Sequence, residues 1–556
     1  DRPLPTTRGN GILMRLAGNE AEAAQLVLRP SRPLGNFSAA CNGLAGPDGA
    51  IIPAEATQVL RVRYVPVAFP TDTTGVAAPW PDPLPPFRGP IDVPAGENQP
   101  LWIRVTTPKN LPGGLYKGAV ELRADGYSAS VPIEVRVYNF SLPDRMTCET
   151  AFGLSPGNVF RYHGLTTRDQ QRLVLDKYLE NMSAHHISPY DPAPLDHFRV
   201  IWPEVRPGES TDAASLEVQF DWTAWDAAME KAFDEYHFNT YRTPTVGTNF
   251  GRQSRQRTPS IQGFRKGAPE YKTLFYNYHH GLQEHLREKG WLDYAYFYWF
   301  DEPEPEDYPI VMEGFRMLRE AAPEIRRMLT EQVEPELVGG PNLWCPYTRP
   351  YNHERAEARR QHGDQFWWYV CTVPKAPYCG LFIDHPATEM RVWLWQTWQR
   401  NIDGILVWET TYWTSPTAYP DHPQNPYEDP MGWVSAGERA KGVRTPWGNG
   451  DGRFMYPPEA AADARPAGPV LDGPVDSIRF EMLRDGIEDY EYLAILKRLL
   501  NERGGELSAR KRRKYEALLE VPPEITSDMV TFAKDPAPIE KQRRKIAKTI
   551  EALLSE

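Results

Sequence analysis

From Cys148 onward the sequence alternates short strand-like runs with longer amphipathic runs, and this rhythm constrains the fold more than any other feature. The candidate strands are "TAFGLS" (150–155), "HISPY" (186–190), "HFNTYRTPT" (237–245), "YAYFYWFDE" (294–302), "RRMLTEQ" (326–332), "NLWCPY" (342–347), "QFWWYVCT" (365–372) and "GILVWETTYW" (404–413). Runs with helical spacing separate most of them, among them "RDQQRLVLDKYLENM", "WTAWDAAMEKAFDEY", "EYKTLFYNYHHGLQEHLREKG", "YPIVMEGFRMLREAA" and "TEMRVWLWQTWQRN". Parallel strands need such crossovers, and eight strands joined this way close on themselves. A (β/α)8 TIM-like barrel is therefore expected over residues 144–505, ending with the helix "SIRFEMLRDGIEDYEYLAILKRLL".

Residues 1–143 have a different texture. Alternating runs such as "LWIRVTTP" and "ASVPIEVRVYNF", broken by Pro and Gly as in "PGGLYKG", predict an all-β sandwich, with "SLPDRM" as the linker out of it. Residues 506–556, rich in Lys, Arg and Glu at helical spacing, predict a helical extension. The chain is thus multidomain, as a length of 556 residues suggests.

Composition narrows the function. A net charge of −12 argues against a nucleic-acid partner, which would need a cationic face. No apolar run approaches the roughly 20 residues of a membrane span. The five cysteines, Cys41, Cys148, Cys345, Cys371 and Cys379, show neither paired nor metal-ligand spacing, and the histidines, including His185-His186 and His279-His280, form no ligand set. No metal and no cofactor is expected. The 17 Trp and 27 Tyr point to carbohydrate, because their rings serve as platforms for the apolar face of a sugar as well as for cores. The sequence opens at Asp1 without Met or an apolar leader core, so removal of a leader before residue 1 and a secreted or periplasmic location are expected, with a cytoplasmic location left open. Oligomeric state is not legible.

In a β/α barrel the chemistry lies where the strands end. The strand "AYFYWF" ends there in adjacent acids, Asp301 and Glu302, followed by Pro303. Two-carboxylate glycosidases need separations of about 5–5.5 Å or 6.5–9.5 Å across the sugar, and neighbouring residues suit neither. Adjacency suits a substrate that brings its own nucleophile, a 2-acetamido carbonyl oxygen. Glu302 is then the general acid and later the base, while Asp301 orients the acetamido N–H and stabilises the developing charge. The alternative is a solvated, capped turn before the next helix, with Pro303 breaking the strand.

Glu331 and Glu409 also end candidate strands. Either could act as a distant nucleophile or base, with a structural salt bridge or a hydroxyl-binding role favoured. Trp344, Tyr347, Trp368, Tyr369, Trp408, Tyr412 and Trp413 are candidate sugar-lining residues, some of which must instead face the helices. "GDGRFMYP" lacks the Lys and helix context of a phosphate loop and reads as a loop over the barrel mouth. Arg484, Asp485, Glu488 and Asp489 read as capping and ion-pairing residues of the last helix.

Three stretches, "YAYFYWFDEPEPEDYP", "GDGRFMYPPE" and "SIRFEMLRDGIEDYEYLAIL", resemble the catalytic domain of glycoside hydrolase family 123, and "GNEAEAAQLVLRP" resembles the β-sandwich that precedes it. The resemblance implies an exo-acting β-N-acetylgalactosaminidase, retaining, with substrate-assisted catalysis through Asp301 and Glu302. Glu409 is not part of that pattern, which leaves open a β-glycosidase of another specificity pairing Glu302 with Glu409 or Glu331. A carbohydrate-binding protein without turnover is the reading from a different class.

Overall fold

A computed structural model describes residues 10–208, 212, 214–248, 258–437 and 441–555. The N-terminal part is all-β. One sheet pairs Ile12–Gly18 in parallel with Tyr127–Ser141, then runs antiparallel through Gly114–Ala124 and Leu34–Cys41 to Ile91–Val93. A second sheet sets Gln99–Thr106 between Ala21–Leu28 and Thr57–Arg61. Alternate side chains of both sheets, including Met14, Leu16, Phe37, Ile103, Val105, Val120 and Val135, meet in one apolar core. Gly126, at φ 65°, closes the two-residue turn between Ala124 and Tyr127.

The second part is a nearly closed parallel barrel of seven strands. In chain order these are Glu149–Phe152, Tyr241–Thr243, Ala295–Phe297, Arg326–Leu329, Leu343–Trp344, Gln365–Tyr369 and Gly404–Val407, the last pairing back onto the first. Inward positions stack as a layer: Ala151, Tyr296, Met328, Leu343, Trp367 and Leu406 share a cluster of their own. Their neighbours in sequence, such as Phe297, Leu329, Trp344, Phe366, Trp368 and Ile405, belong to the helix-facing core.

The expected strand at 186–190 is not formed as a ladder. It contributes one bridge, Phe152 to Pro189, with Tyr190 N–H bonded to Phe152 O (2.8 Å) and Arg242 N–H bonded to Tyr190 O (2.9 Å). Pro189 has no N–H to donate, and His186 sits at φ 59°, outside the extended region. Side chains take over the seam. Ser188 N–H donates to Thr150 Oγ1 (2.8 Å), Thr150 N–H donates to Asn239 Oδ1 (3.1 Å), and Asn239 Nδ2 donates to Cys148 O (2.8 Å).

The helix Ile478–Arg503, the longest among the described residues, is N-capped by Ser477 and lies between the two parts of the chain. Its first turn follows Asp476–Ser477, which pairs antiparallel with Pro83–Leu84 of the N-terminal region. Arg104 reaches Asp476 (2.7 Å) and Glu481 (2.6 Å), Arg479 pairs with Asp82 (2.9 Å), and Arg391 pairs with Asp489 (2.7 Å). Arg484 meets Glu481 (3.0 Å) and Asp485 (2.8 Å), so the charged residues of this helix form an ion-paired seam. The helix Ala537–Ser555 packs on the same long helix and on the strand Tyr127–Ser141. Among the described residues, no helix is long and apolar enough to cross a membrane.

Candidate active site

The strand Ala295–Phe297 ends before the acids, and Glu302, at φ 43°, turns the chain sharply. The alternation of the strand is already broken before the acids, since consecutive Trp299 and Phe300 both belong to the helix-facing core, and adjacent Asp301 and Glu302 need not point apart. Asp301 is half-buried and Glu302 is exposed. Thr330, just past the end of Arg326–Leu329 and in phase with inward-facing Met328, ties them together. Its hydroxyl donates to Asp301 Oδ1 (2.8 Å) and accepts the Glu302 N–H (2.8 Å).

Two phenols complete the arrangement. Tyr298 OH donates to Asp301 Oδ1 (2.5 Å), and Tyr369 OH donates to Glu302 Oε1. Burial first, then the adjoining carboxylate, raises the pKa of each phenol, Asp301 acting on Tyr298 and Glu302 on Tyr369. Both therefore stay protonated and remain donors. Tyr347 stands edge-on to Tyr369 (6.1 Å), and Tyr190 edge-on to Tyr298 (6.4 Å). The Cys345 thiol is raised by burial and by Asp301, and Cys371 is pushed up to about 12 by burial, then by Asp451 and Glu302.

Glu331 bonds its own neighbour, Gln332 N–H (2.8 Å), and its carboxyl is raised by burial and by the charges of Glu334 and Glu302. Glu409 is engaged on both oxygens. Ser155 Oγ reaches Oε2 (2.5 Å), while Thr410 N–H, Thr411 N–H (both 2.9 Å) and Thr411 Oγ1 (3.1 Å) reach Oε1. Those donors make it the organiser of the turn after Gly404–Val407, with burial raising its pKa against their pull.

The aromatic candidates separate into two groups. Tyr369 and Tyr347 lie beside the acids, while half-buried Trp408 and Tyr412 stand edge-on to one another (5.0 Å) after the last strand. Trp344, Trp368 and Trp413 are not brought to the mouth. All three are fully buried, with indole N–H groups bonded to Asp364 (2.9 Å), Thr397 (2.9 Å) and Met455 O (2.7 Å). Thr330, Tyr298, Tyr190 and Asp451 are the residues of this region that sequence reasoning missed. Phase with a neighbouring inward residue was the available signal for Thr330 and Tyr298.

For a metal, His185, Asp476 and Glu481 bring ligand-type atoms within 4.8 Å of one another. Arg104 already pairs with both carboxylates and Arg484 with Glu481, so a cation would have to displace two guanidiniums.

Residues 215–496 match the glycoside hydrolase 123 catalytic domain, and residues 18–124 match the glycoside hydrolase 123 N-terminal domain. The structure is similar to that of a family 123 glycoside hydrolase from Clostridium perfringens, solved for the details of glycolipid glycan hydrolysis. That likeness covers 98% of this chain and 94% of the other, at 16% identity and a TM-score of 0.66. The endo-β-1,4-mannanase of Thermotoga petrophila overlaps 63% of this chain and 77% of its own at 11% identity and a TM-score of 0.30. The β-glucuronidase of Parabacteroides merdae overlaps 69% and 47% at 8% identity and 0.23. These last two overlaps are too loose to carry a structural argument. No curated protein matches the chain.

Proposed function

Given that the chain belongs to glycoside hydrolase family 123, and is thus a hydrolase of glycosidic bonds, we propose that it releases terminal β-linked N-acetylgalactosamine with retention, through participation of the 2-acetamido group. The observation that supports this most is the Asp301–Glu302 pair, held on one rim by the shared Thr330 hydroxyl. The nearly closed ring is read as a (β/α)8 barrel, with the 186–190 segment in the second strand position.

In this reading Glu302 protonates the glycosidic oxygen while the acetamido carbonyl oxygen attacks the anomeric carbon, forming one C–O bond as the other breaks. Asp301 accepts the acetamido N–H and offsets the positive charge that develops on the oxazolinium ring. Water then attacks the anomeric carbon from the vacated face, the bond from that carbon to the acetamido oxygen breaks and the 2-acetamido group re-forms, and the water gives its proton to Glu302, which restores the enzyme. A glycan carrying such a terminal sugar, on a glycolipid as in the Clostridium relative's description, is the substrate class proposed.

Asp301→Asn and Glu302→Gln should each lower turnover of an aryl β-N-acetylgalactosaminide by about two orders of magnitude or more. A thiazoline analogue of the sugar should inhibit competitively. Near-normal rates in both variants would sink the proposal. A second reading, a β-glycosidase pairing Glu302 with Glu331, is favoured only by the electrostatic proximity of those two acids, and it requires turnover of glycosides lacking the 2-acetamido group.

A further inference from the structure

The Gly450-Asp451-Gly452 turn lies outside the Asp301–Glu302 pair, yet it delivers a buried carboxylate to the same region. Asp451 is 1% exposed. Its Oδ1 accepts the Trp408 indole N–H (3.1 Å), and its Oδ2 is buried without a hydrogen-bond partner. Both glycines are required by what surrounds them. A Cβ on Gly450, at φ 81°, would lie 2.6 Å from Arg479 Cζ, and one on Gly452, at φ 71°, would lie 2.6 Å from Trp408 Cζ2. The turn is therefore clamped between a guanidinium and an indole.

The guanidinium side is anchored. Arg479 donates to Gly450 O (2.7 Å) and Leu381 O (3.0 Å) and pairs with Asp82 (2.9 Å). The indole side is in phase with inward-facing Leu406, two residues earlier. Trp408 is half-buried, follows the strand Gly404–Val407, and stands edge-on to Tyr412 (5.0 Å) and Trp447 (5.3 Å). Tyr369 OH bonds Glu302, and three residues on Thr372 Oγ1 donates to Trp447 O (2.6 Å), whose ring stands against Trp408, so the chain that partners the acid pair also reaches this indole.

We propose that Asp451 is a positioning residue of the sugar subsite: its bond to the Trp408 N–H fixes the indole as a wall against the apolar face of the bound sugar. This rests on the glycosidase reading above. An indole with its N–H anchored in a buried carboxylate has one orientation, whereas a ring gripped only at its edges has several, and a stacking wall must be set before the sugar arrives.

Steady-state kinetics of Asp451→Leu, Asp451→Asn, Trp408→Phe and the Trp408→Phe/Asp451→Leu double variant, on an aryl glycoside that the parent protein hydrolyses, test this. Losing the anchor should raise KM about tenfold in Asp451→Leu with kcat changed less than about threefold. Asn keeps an acceptor oxygen and should restore KM to within about threefold of the parent. Adding Asp451→Leu to Trp408→Phe should raise KM no further, since the donor is already gone. A KM in Asp451→Leu within about twofold of the parent, or effects that multiply in the double variant, would overturn the proposal. If Asp451→Leu does not fold, Trp408→Phe alone decides, because an unchanged KM in that variant is incompatible with a wall set by the indole N–H. If the parent hydrolyses no aryl glycoside, the glycosidase reading has failed, and the same cycle is read as Kd for free N-acetylgalactosamine by calorimetry, with the same criteria.

Discussion

At the scale of single residues, the site is a problem of holding two carboxylates that a regular strand would point apart. Thr330 answers it with one oxygen that serves both, as donor to Asp301 and acceptor from the Glu302 N–H. Thr330→Val keeps the shape and removes both bonds. Each bond to a charged or buried group is worth about 1.5–3 kcal/mol, so kcat should fall by about tenfold or more while the fold persists, as steady-state rates beside a thermal melt would show. Unchanged kcat would mean that the bend at Glu302 holds the pair unaided. The place of the acids at a strand end was legible, because the apolar run stops at Asp301 and Pro303 cannot continue a ladder. Which aromatic candidates face the barrel interior was half legible. The same alternation that turns Tyr369 inward turns Trp368 outward, and inward Cys345 sends Trp344 to the helices, so phase alone could have removed both Trp344 and Trp368. Trp413 had no such signal, since it follows the turn that Glu409 organises and no period extends through a turn.

At the scale of secondary-structure elements, one close helix contact bears on the chain that carries the acids. The helix Tyr308–Ala321 lies against Trp299, two residues before Asp301, and a Cβ on its Gly314 would sit 2.2 Å from Trp299 Cζ2. Trp299 is 3% exposed and has no room to retreat. In Gly314→Ala, helix propensity contributes about 1 kcal/mol in favour, while overpacking costs about 1–3 kcal/mol. An overlap this deep belongs to the upper part of that range, so the variant should lose net stability and show a lower denaturation midpoint, with reduced kcat as the strand end shifts. A midpoint that rises would show that the helix stands further off. Elements of this barrel were readable from periodicity because buried parallel strands between amphipathic helices leave a strong pattern. The exception, 186–190, has the composition of a strand but carries Pro189 and a left-handed His186, and it is joined to its neighbours through Thr150, Ser188 and Asn239 side chains. Such side-chain stitching leaves no period to read.

The whole molecule makes the N-terminal region part of the rim's support. Thr71 N–H and Oγ1 bond Asp384 (2.7 and 2.6 Å), Asn449 N–H donates to Thr71 Oγ1 (2.9 Å), and Ala376 N–H donates to Asp72 (3.1 Å). These partners stand hundreds of residues apart in sequence, where spacing carries no information about contact. At their centre His385, 4% exposed, places Nε2 3.1 Å from Asp72 and Nδ1 3.5 Å from Glu389, with Asp384 also facing it. Burial alone would lower its pKa, but Glu389, Asp72 and Asp384 outweigh burial and raise it. Asp72 moves the opposite way. Burial would raise it, yet bonds from Thr74 and Ala376 N–H and the charge of His385 bring it down to about 2. A histidine raised in the folded state adds stability that is complete below its unfolded pKa, about 6.5, and disappears as pH climbs through the folded value. Asp72 adds stability above about 3.9 that is lost only in acid, so it is constant across that window. Denaturant unfolding measured from pH 6 upward should therefore show the parent protein losing stability relative to His385→Gln, with the difference levelling off once His385 is neutral. A difference independent of pH across the window would mean that His385 is uncharged in its cage and that the N-terminal loop is held to the rim by the hydrogen bonds of Thr71 and Asp72 without an ion pair.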